Sequence, residues 1–192
     1  MHHPAPTPLT TLLDGYRPRI TAEAADVRRI LELIAAGDPW SRELPLHVTA
    51  SALVVHPPTR RVLLRWHARM RAWLQIGGHG DPGEQDPVQV ALREGAEETG
   101  LDDLVCWPDA ALRQVVVLPV PASRTEPAHE HADLRFLLAT GSPELARPEK
   151  PGAELRWLTL PEAHALVTEP NLRDLLTRVG ELFEEQELSR SA

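Results

Sequence analysis

The chain has 192 residues, 42% of them hydrophobic and 25% charged, which suits a soluble globular domain that can bury a core without disulfide staples. Its formal net charge of −8, with basic residues scattered rather than clustered, argues against binding a nucleic-acid polymer but not against a small polyphosphate accompanied by divalent cations. The single cysteine, Cys106, can form no internal disulfide, no apolar run approaches a bilayer-spanning length, and Met1-His2-His3-Pro4 lacks signal-peptide character, so a cytoplasmic protein without membrane attachment is expected.

Residues 1–19 are proline-rich and without periodicity, and read as an arm. Between Thr21 and Ala36, Val27, Ile30, Leu31 and Ile34 recur at helical spacing and predict an amphipathic helix. Thr21 and Glu23 or Glu32 add start and surface character, and Gly37-Asp38-Pro39 stops it. Whether this helix packs on its own domain or forms a homodimer seam is open from sequence. Residues 48–55 are small or β-branched and end at His56-Pro57-Pro58; residues 61–66 then make a second strand, and the two predict a hairpin. Residues 73–76 continue the β region into Gly77-Gly78-His79-Gly80.

A helix is predicted over residues 87–99, with Asp86 as N-cap, Pro87 at the first helical position, Gln89 completing a capping-box pattern and Gly100 as the stop. Strands follow at 112–120 and 132–140 with a polar, proline-containing loop between them. A last strand is placed at 154–158 and helices at 161–167 and 171–187, the latter with Leu172, Leu175, Leu176, Val179, Leu182 and Phe183 on one stripe. The pattern is a mixed α/β domain with helices at both ends.

On the helix over 87–99, Val88, Ala91, Leu92, Gly95, Ala96 and Thr99 share the side that a sheet would cover. Gly95 there costs about 1 kcal/mol relative to alanine, so its use is a close approach of helix to sheet. Glu94, Glu97 and Glu98 gather on another face, because positions three and four apart are neighbours. Three carboxylates so close repel one another. Divalent cations relieve that repulsion, and hard oxygen ligands suit magnesium or manganese.

Gly78-His79-Gly80-Asp81-Pro82-Gly83-Glu84, followed by Arg93-Glu94-Gly95-Ala96-Glu97-Glu98-Thr99-Gly100-Leu101, resembles the Nudix box. That family's pattern is glycine, five residues, glutamate, seven residues, then Arg-Glu-U-x-Glu-Glu-x-Gly-U with U apolar. Eight residues rather than seven separate Glu84 from Arg93, the extra one placed in the turn at Gln85-Asp86, and Gly95 stands where an aliphatic residue is usual. The resemblance implies an α/β/α sandwich with a mixed sheet, carried here by residues 45–167, preceded by an arm and helix over 1–44 and followed by a C-terminal helix over 168–192 packed on the domain. It also implies hydrolysis of a nucleoside diphosphate linked to another moiety. Glu94, Glu97 and Glu98 would bind magnesium or manganese, with a backbone carbonyl near Gly77 or Gly78. Glu84 and Arg93 would pair in support. The ions would bridge the diphosphate oxygens and lower the pKa of the attacking water.

Further candidates are less specific. A general base could be one of the box carboxylates or a later glutamate, Glu149 or Glu154, although ordinary surface glutamates look the same. His79 sits in the glycine loop beside the expected phosphates, and Arg65, Trp66 and His67 end the second strand where substrate could pair or stack. Trp66 and Trp73 are equally readable as packing residues. His129, His131 and Asp133 alternate and would face one way on a strand; that spacing permits a metal site, a phosphate pocket including His131, or only a loop border. Cys106 reads as an inert small hydrophobe. Two other functions share this scaffold. A diphosphate isomerase needs a cysteine ahead of the box, and residues 48–84 contain none; a non-catalytic nucleotide-sensing or interaction module often loses box carboxylates, and all three are present. By the resemblance, substrate choice falls to loops outside the box, here 119–131 and 143–153.

Overall fold

The computed structural model describes residues 7–124 and 126–191. They form two compact units, the first made of the described residues to Ser51, Gly77–Ala91 and Ala110–Phe136, the second of Ala52–Ile76, Leu92–Asp109 and the chain from Leu137 on.

The first unit begins with a helix, α1 (Pro8–Gly15), in the stretch read from sequence as an arm. The Thr7 hydroxyl caps it by accepting from the Thr10 N–H at 3.2 Å, Pro8 takes the first turn, and Leu9 and Leu13, one turn apart, are both buried. Residues 1–6 of the expected arm lie outside the described residues. Helix α2 (Thr21–Ala36) has the expected bounds and ends at Gly37 with φ +149°, a backbone angle that favours glycine. Two of its surface expectations reverse. Glu23 is buried, because the Tyr16 hydroxyl and the Arg19 and Val115 N–H groups all donate to its carboxylate, whereas Leu31 is 42% exposed.

In this unit β4 (Ile76–His79), β1 (Leu46–His56), β7 (His129–Ala139) and β6 (Gln114–Val120) lie in that order. Antiparallel β6 and β7 align Val115 with Leu134 and Val117 with Ala132. Helix α2 packs on β6 of its own chain. Asp26 accepts from the Val117 N–H at 3.0 Å, Glu23 from the Val115 N–H at 3.4 Å, and Arg29 pairs with Glu130 at 2.6 Å. The helix thereby satisfies strand N–H groups that would otherwise face water.

In the second unit the strand order is β3 (Ala72–Leu74), β2 (Arg61–His67), β1, β7, β5 (Val105–Cys106), with β8 (Leu155–Thr159) also paired to β2. The expected hairpin is present, with Val54 opposite Leu63, and β8 sets Trp157 opposite the same Leu63. Leu53, Val55, Leu64 and Leu137 form a core with α4 (Leu160–Leu166) and α5 (Pro170–Ser191), to which α5 contributes Leu172, Leu175, Leu176, Val179 and Phe183. Each such side chain, fully buried, contributes about 1.5–3 kcal/mol, which is what docks α5. Successive residues of a strand point to opposite faces. Leu137 therefore meets α5, while Leu138 meets Gly95 of α3 (Pro87–Thr99) on the other side. The architecture is an α/β/α sandwich on a mixed sheet, with helices at both ends of the chain.

Strand limits differ from the expected ones by a few residues, and three differences bear on the site. The segment 73–76 is divided at Gln75 between β3 and β4, and the two-residue β5, too short to show periodicity, had no sequence signal. β7 starts at His129 rather than 132, so both histidines are strand residues. Among the described residues no helix is long and apolar enough to cross a membrane.

Candidate active site

Helix α3 runs without interruption from Pro87 to Thr99. Asp86 caps it by accepting from the Val88 N–H at 2.9 Å, and Gly100, at φ +65°, ends it with its N–H on the Ala96 carbonyl at 2.8 Å. The extra residue of the motif is therefore taken up ahead of the helix, and the spacing of Glu94, Glu97 and Glu98 stays helical. Gly95 faces the sheet, where a Cβ would come within 2.8 Å of Leu104 Cδ1 and 3.1 Å of Leu138 Cδ1. Close approach of helix to sheet is what this glycine allows.

The three glutamates share a face and have cationic neighbours. Arg93 reaches Glu94 at 3.0 Å and Glu97 at 3.1 Å, and Arg65 at the end of β2 reaches Glu98 at 2.9 Å. Glu94 and Glu98 side chains are only 15% and 12% exposed, while Glu97 is 54% exposed. Arg65, expected to meet substrate, is thus a direct partner of the acidic helix, and its buried Nε has no hydrogen-bond partner among the described residues. Glu149 pairs with Lys150 at 2.8 Å, and Lys150 in turn interacts electrostatically with Arg65 and Glu98. Glu154 pairs instead with Arg156 at 2.7 Å.

In the first unit, Gly77 and Gly78 lie in β4. Gly77 has φ +149°, and a Cβ there would stand 2.5 Å from Ser51 Cα, so only glycine fits. Glu84 closes the following turn, its N–H on the Asp81 carbonyl at 2.9 Å and its carboxylate on the Asp81 N–H at 2.8 Å. His79 and His131 come together with two further histidines, His47 and His129. Sequence reading passed over His47, since nothing near it in the chain marks it. Asp133 takes a separate role. Thr49 and Ser51 hydroxyls and Arg135 Nε all donate to its carboxylate, and Arg135 goes on to Gln114 at 2.8 Å, making a buried network.

Other sequence candidates fall into packing positions. Trp66 and Trp73 contact each other with ring centroids 5.7 Å apart, and Trp73 is buried. His67 Nδ1 accepts from the Met70 N–H at 3.1 Å, and burial lowers the His67 pKa. Cys106 is half-buried in β5 opposite Leu138.

Comparison with known proteins adds the family. A sequence model described as the NUDIX domain matches residues 45–179. The fold resembles a C. elegans Ap4A hydrolase in a binary complex, with TM-score 0.57 and 19% identity over 72% of this chain and 98% of that one. It also resembles the E. coli dihydroneopterin triphosphate pyrophosphohydrolase, with TM-score 0.51 and 21% identity over 69% of this chain and 92% of that one. A Nudix hydrolase from M. smegmatis, RenU, aligns with TM-score 0.50 and 22% identity over 72% of this chain and 86% of that one. Curated protein sequences give no match. With the domain match spanning most of the chain and the fold in agreement, the chain belongs to the Nudix family and is a Nudix hydrolase.

Proposed function

We propose that the chain hydrolyses a diphosphate linkage in a nucleoside diphosphate joined to another moiety, using magnesium or manganese held by Glu94, Glu97 and Glu98. The observation that carries this reading is the acidic face of α3, two of whose carboxylates are largely buried, with Arg93 and Arg65 paired against it. The donor set fits the ion, since carboxylate oxygens are the ligands that hard divalent cations prefer. When bound, such an ion supplies Lewis-acid stabilisation of charge on the phosphate oxygens.

The remaining steps fall to the chain's own side chains. Arg93 holds Glu94 and Glu97 in position, and Arg65 holds Glu98. Glu149 accepts the proton of the water that attacks phosphorus; its pairing with Lys150, itself in the field of Glu98, favours this position over Glu154. The substrate is a small molecule rather than a nucleic-acid polymer, as the net charge of −8 favours.

The test is turnover of nucleoside diphosphate sugars, dinucleoside polyphosphates including Ap4A, nucleoside triphosphates, dihydroneopterin triphosphate and ADP-ribose, each with magnesium or manganese. Glu97→Gln should keep the fold and lose most of the rate. No turnover across the panel, or a Glu97→Gln variant as active as the parent, would refute it.

A further inference from the structure

Four imidazoles meet in the first unit on elements distant in sequence: His47 from β1, His79 from the end of β4, and His129 and His131 from the start of β7. One ring nitrogen from each of His47, His79 and His131 lies within 4.8 Å of the others. His47 Nε2 stands 3.0 Å from His79 Nε2, and His129 Nε2 stands 3.1 Å from His131 Nε2. The rings of His79 and His131 meet edge to face, with centroids 4.7 Å apart.

Tautomers follow from the outer partners. His47 Nδ1 faces the Leu44 carbonyl at 3.0 Å, and His129 Nδ1 faces the Pro127 carbonyl at 2.9 Å. A carbonyl only accepts, so each Nδ1 carries the hydrogen. In the neutral ring, Nε2 is then a bare lone pair aimed at the other histidines. Imidazoles that ligate metals are held in this way, with the second nitrogen donating to a backbone carbonyl. We propose that His47, His79 and His131 bind a borderline divalent transition ion of the zinc class, with His129 or a water in the fourth position.

The chemistry separates this site from the acidic helix. Neutral imidazole nitrogen suits zinc, cobalt, nickel or copper and is a poor ligand for magnesium. A tetrahedral zinc with bonds of about 2.0–2.1 Å spaces its ligand nitrogens about 3.3 Å apart, so the 3.0 Å pair needs to open by only a few tenths of an ångström. Asp133, two residues beyond His131 on the same strand face, is already committed to Thr49, Ser51 and Arg135. An ion here would tie β1, β4 and β7 together at the residue that follows Gly78.

The test uses the full chain, stripped of metal with chelator and carrying His2→Gln and His3→Gln so that the histidine pair at the N-terminus cannot compete. Titration with Co2+ should give the visible absorption of a four-coordinate nitrogen site, displaced by Zn2+ but not by excess Mg2+. His47→Gln and His131→Gln should each weaken binding by at least about 100-fold, beyond the roughly 10- to 100-fold typical of losing an outer partner. Glu97→Gln should leave the absorption unchanged, which separates this site from the proposed catalytic one. X-ray absorption at the zinc edge needs none of the ligand substitutions and should show imidazole nitrogen. The proposal is overturned by an absent cobalt band, by an oxygen-only zinc shell, or by binding lost in Glu97→Gln and kept in the histidine variants.

Discussion

Replacing Gly77 with alanine tests how β4 is held against β1. The residue has φ +149°, and its added Cβ would lie 2.5 Å from Ser51 Cα, 2.6 Å from Ser51 Cβ and 2.7 Å from the Ala50 carbonyl oxygen. Carbon atoms normally rest about 3.5–4.0 Å apart. Two of these obstacles are backbone atoms of a buried strand, so no rotamer change removes the clash. A non-glycine residue in this region carries about 1–3 kcal/mol of backbone strain. Overpacking adds about 1–3 kcal/mol. A loss of about 2–6 kcal/mol is therefore expected, a large part of the roughly 5–15 kcal/mol by which domains are stable. For a chain of this length that corresponds to a fall in Tm of roughly 4–24 °C. Urea and thermal unfolding read it directly. A loss below about 1 kcal/mol with an unchanged urea slope would mean that β4 is not seated on β1 as described.

Gly95→Ala should behave differently, because its new Cβ meets only the tips of Leu104 and Leu138. The gain of about 1 kcal/mol in helix propensity then nearly offsets the shift of those two side chains, and a measured loss above about 2 kcal/mol would contradict it. Arg65→Met removes the guanidinium from the largely buried carboxylate of Glu98 and should cost about 2–3 kcal/mol in urea unfolding, discounted from the ~3–5 of a fully buried pair. Glu23→Gln replaces a carboxylate that accepts from the Tyr16 hydroxyl and two backbone N–H groups with a weaker acceptor and should cost about 1–3 kcal/mol, with faster hydrogen exchange at Arg19 and Val115. Asp103 is held below its ordinary pKa of 3.8 by the Thr140 hydroxyl first and then by the Gly141 N–H. Its folded pKa is the lower one, so its stabilisation is present above pH 3.8 and lost as pH falls through the folded value. Acid unfolding should show wild type losing its advantage over Asp103→Asn below about that pH.

What the sequence determined by itself was local. The bounds of α3, its Asp86 cap, its Gly100 stop and the shared face of Glu94, Glu97 and Glu98 depend on a 3.6-residue repeat and on end groups a few residues away. The apolar stripe of α5 and the hairpin of β1 and β2 were legible for the same reason. Short apolar signals were not enough for α1, whose Leu9 and Leu13 stood in a proline-rich stretch. Tertiary structure decided where charged and polar groups find partners, since those partners are remote in the chain. Glu23 looked like a surface residue until Val115 donated to it across 92 positions. Arg65 became the partner of Glu98 only through the contact between β2 and α3. His47 carried no signal of its own, and only the pairing of β1 with β4 and β7 brought it to His79 and His131. Periodicity records which face of an element is buried; it does not record which distant side chain arrives there.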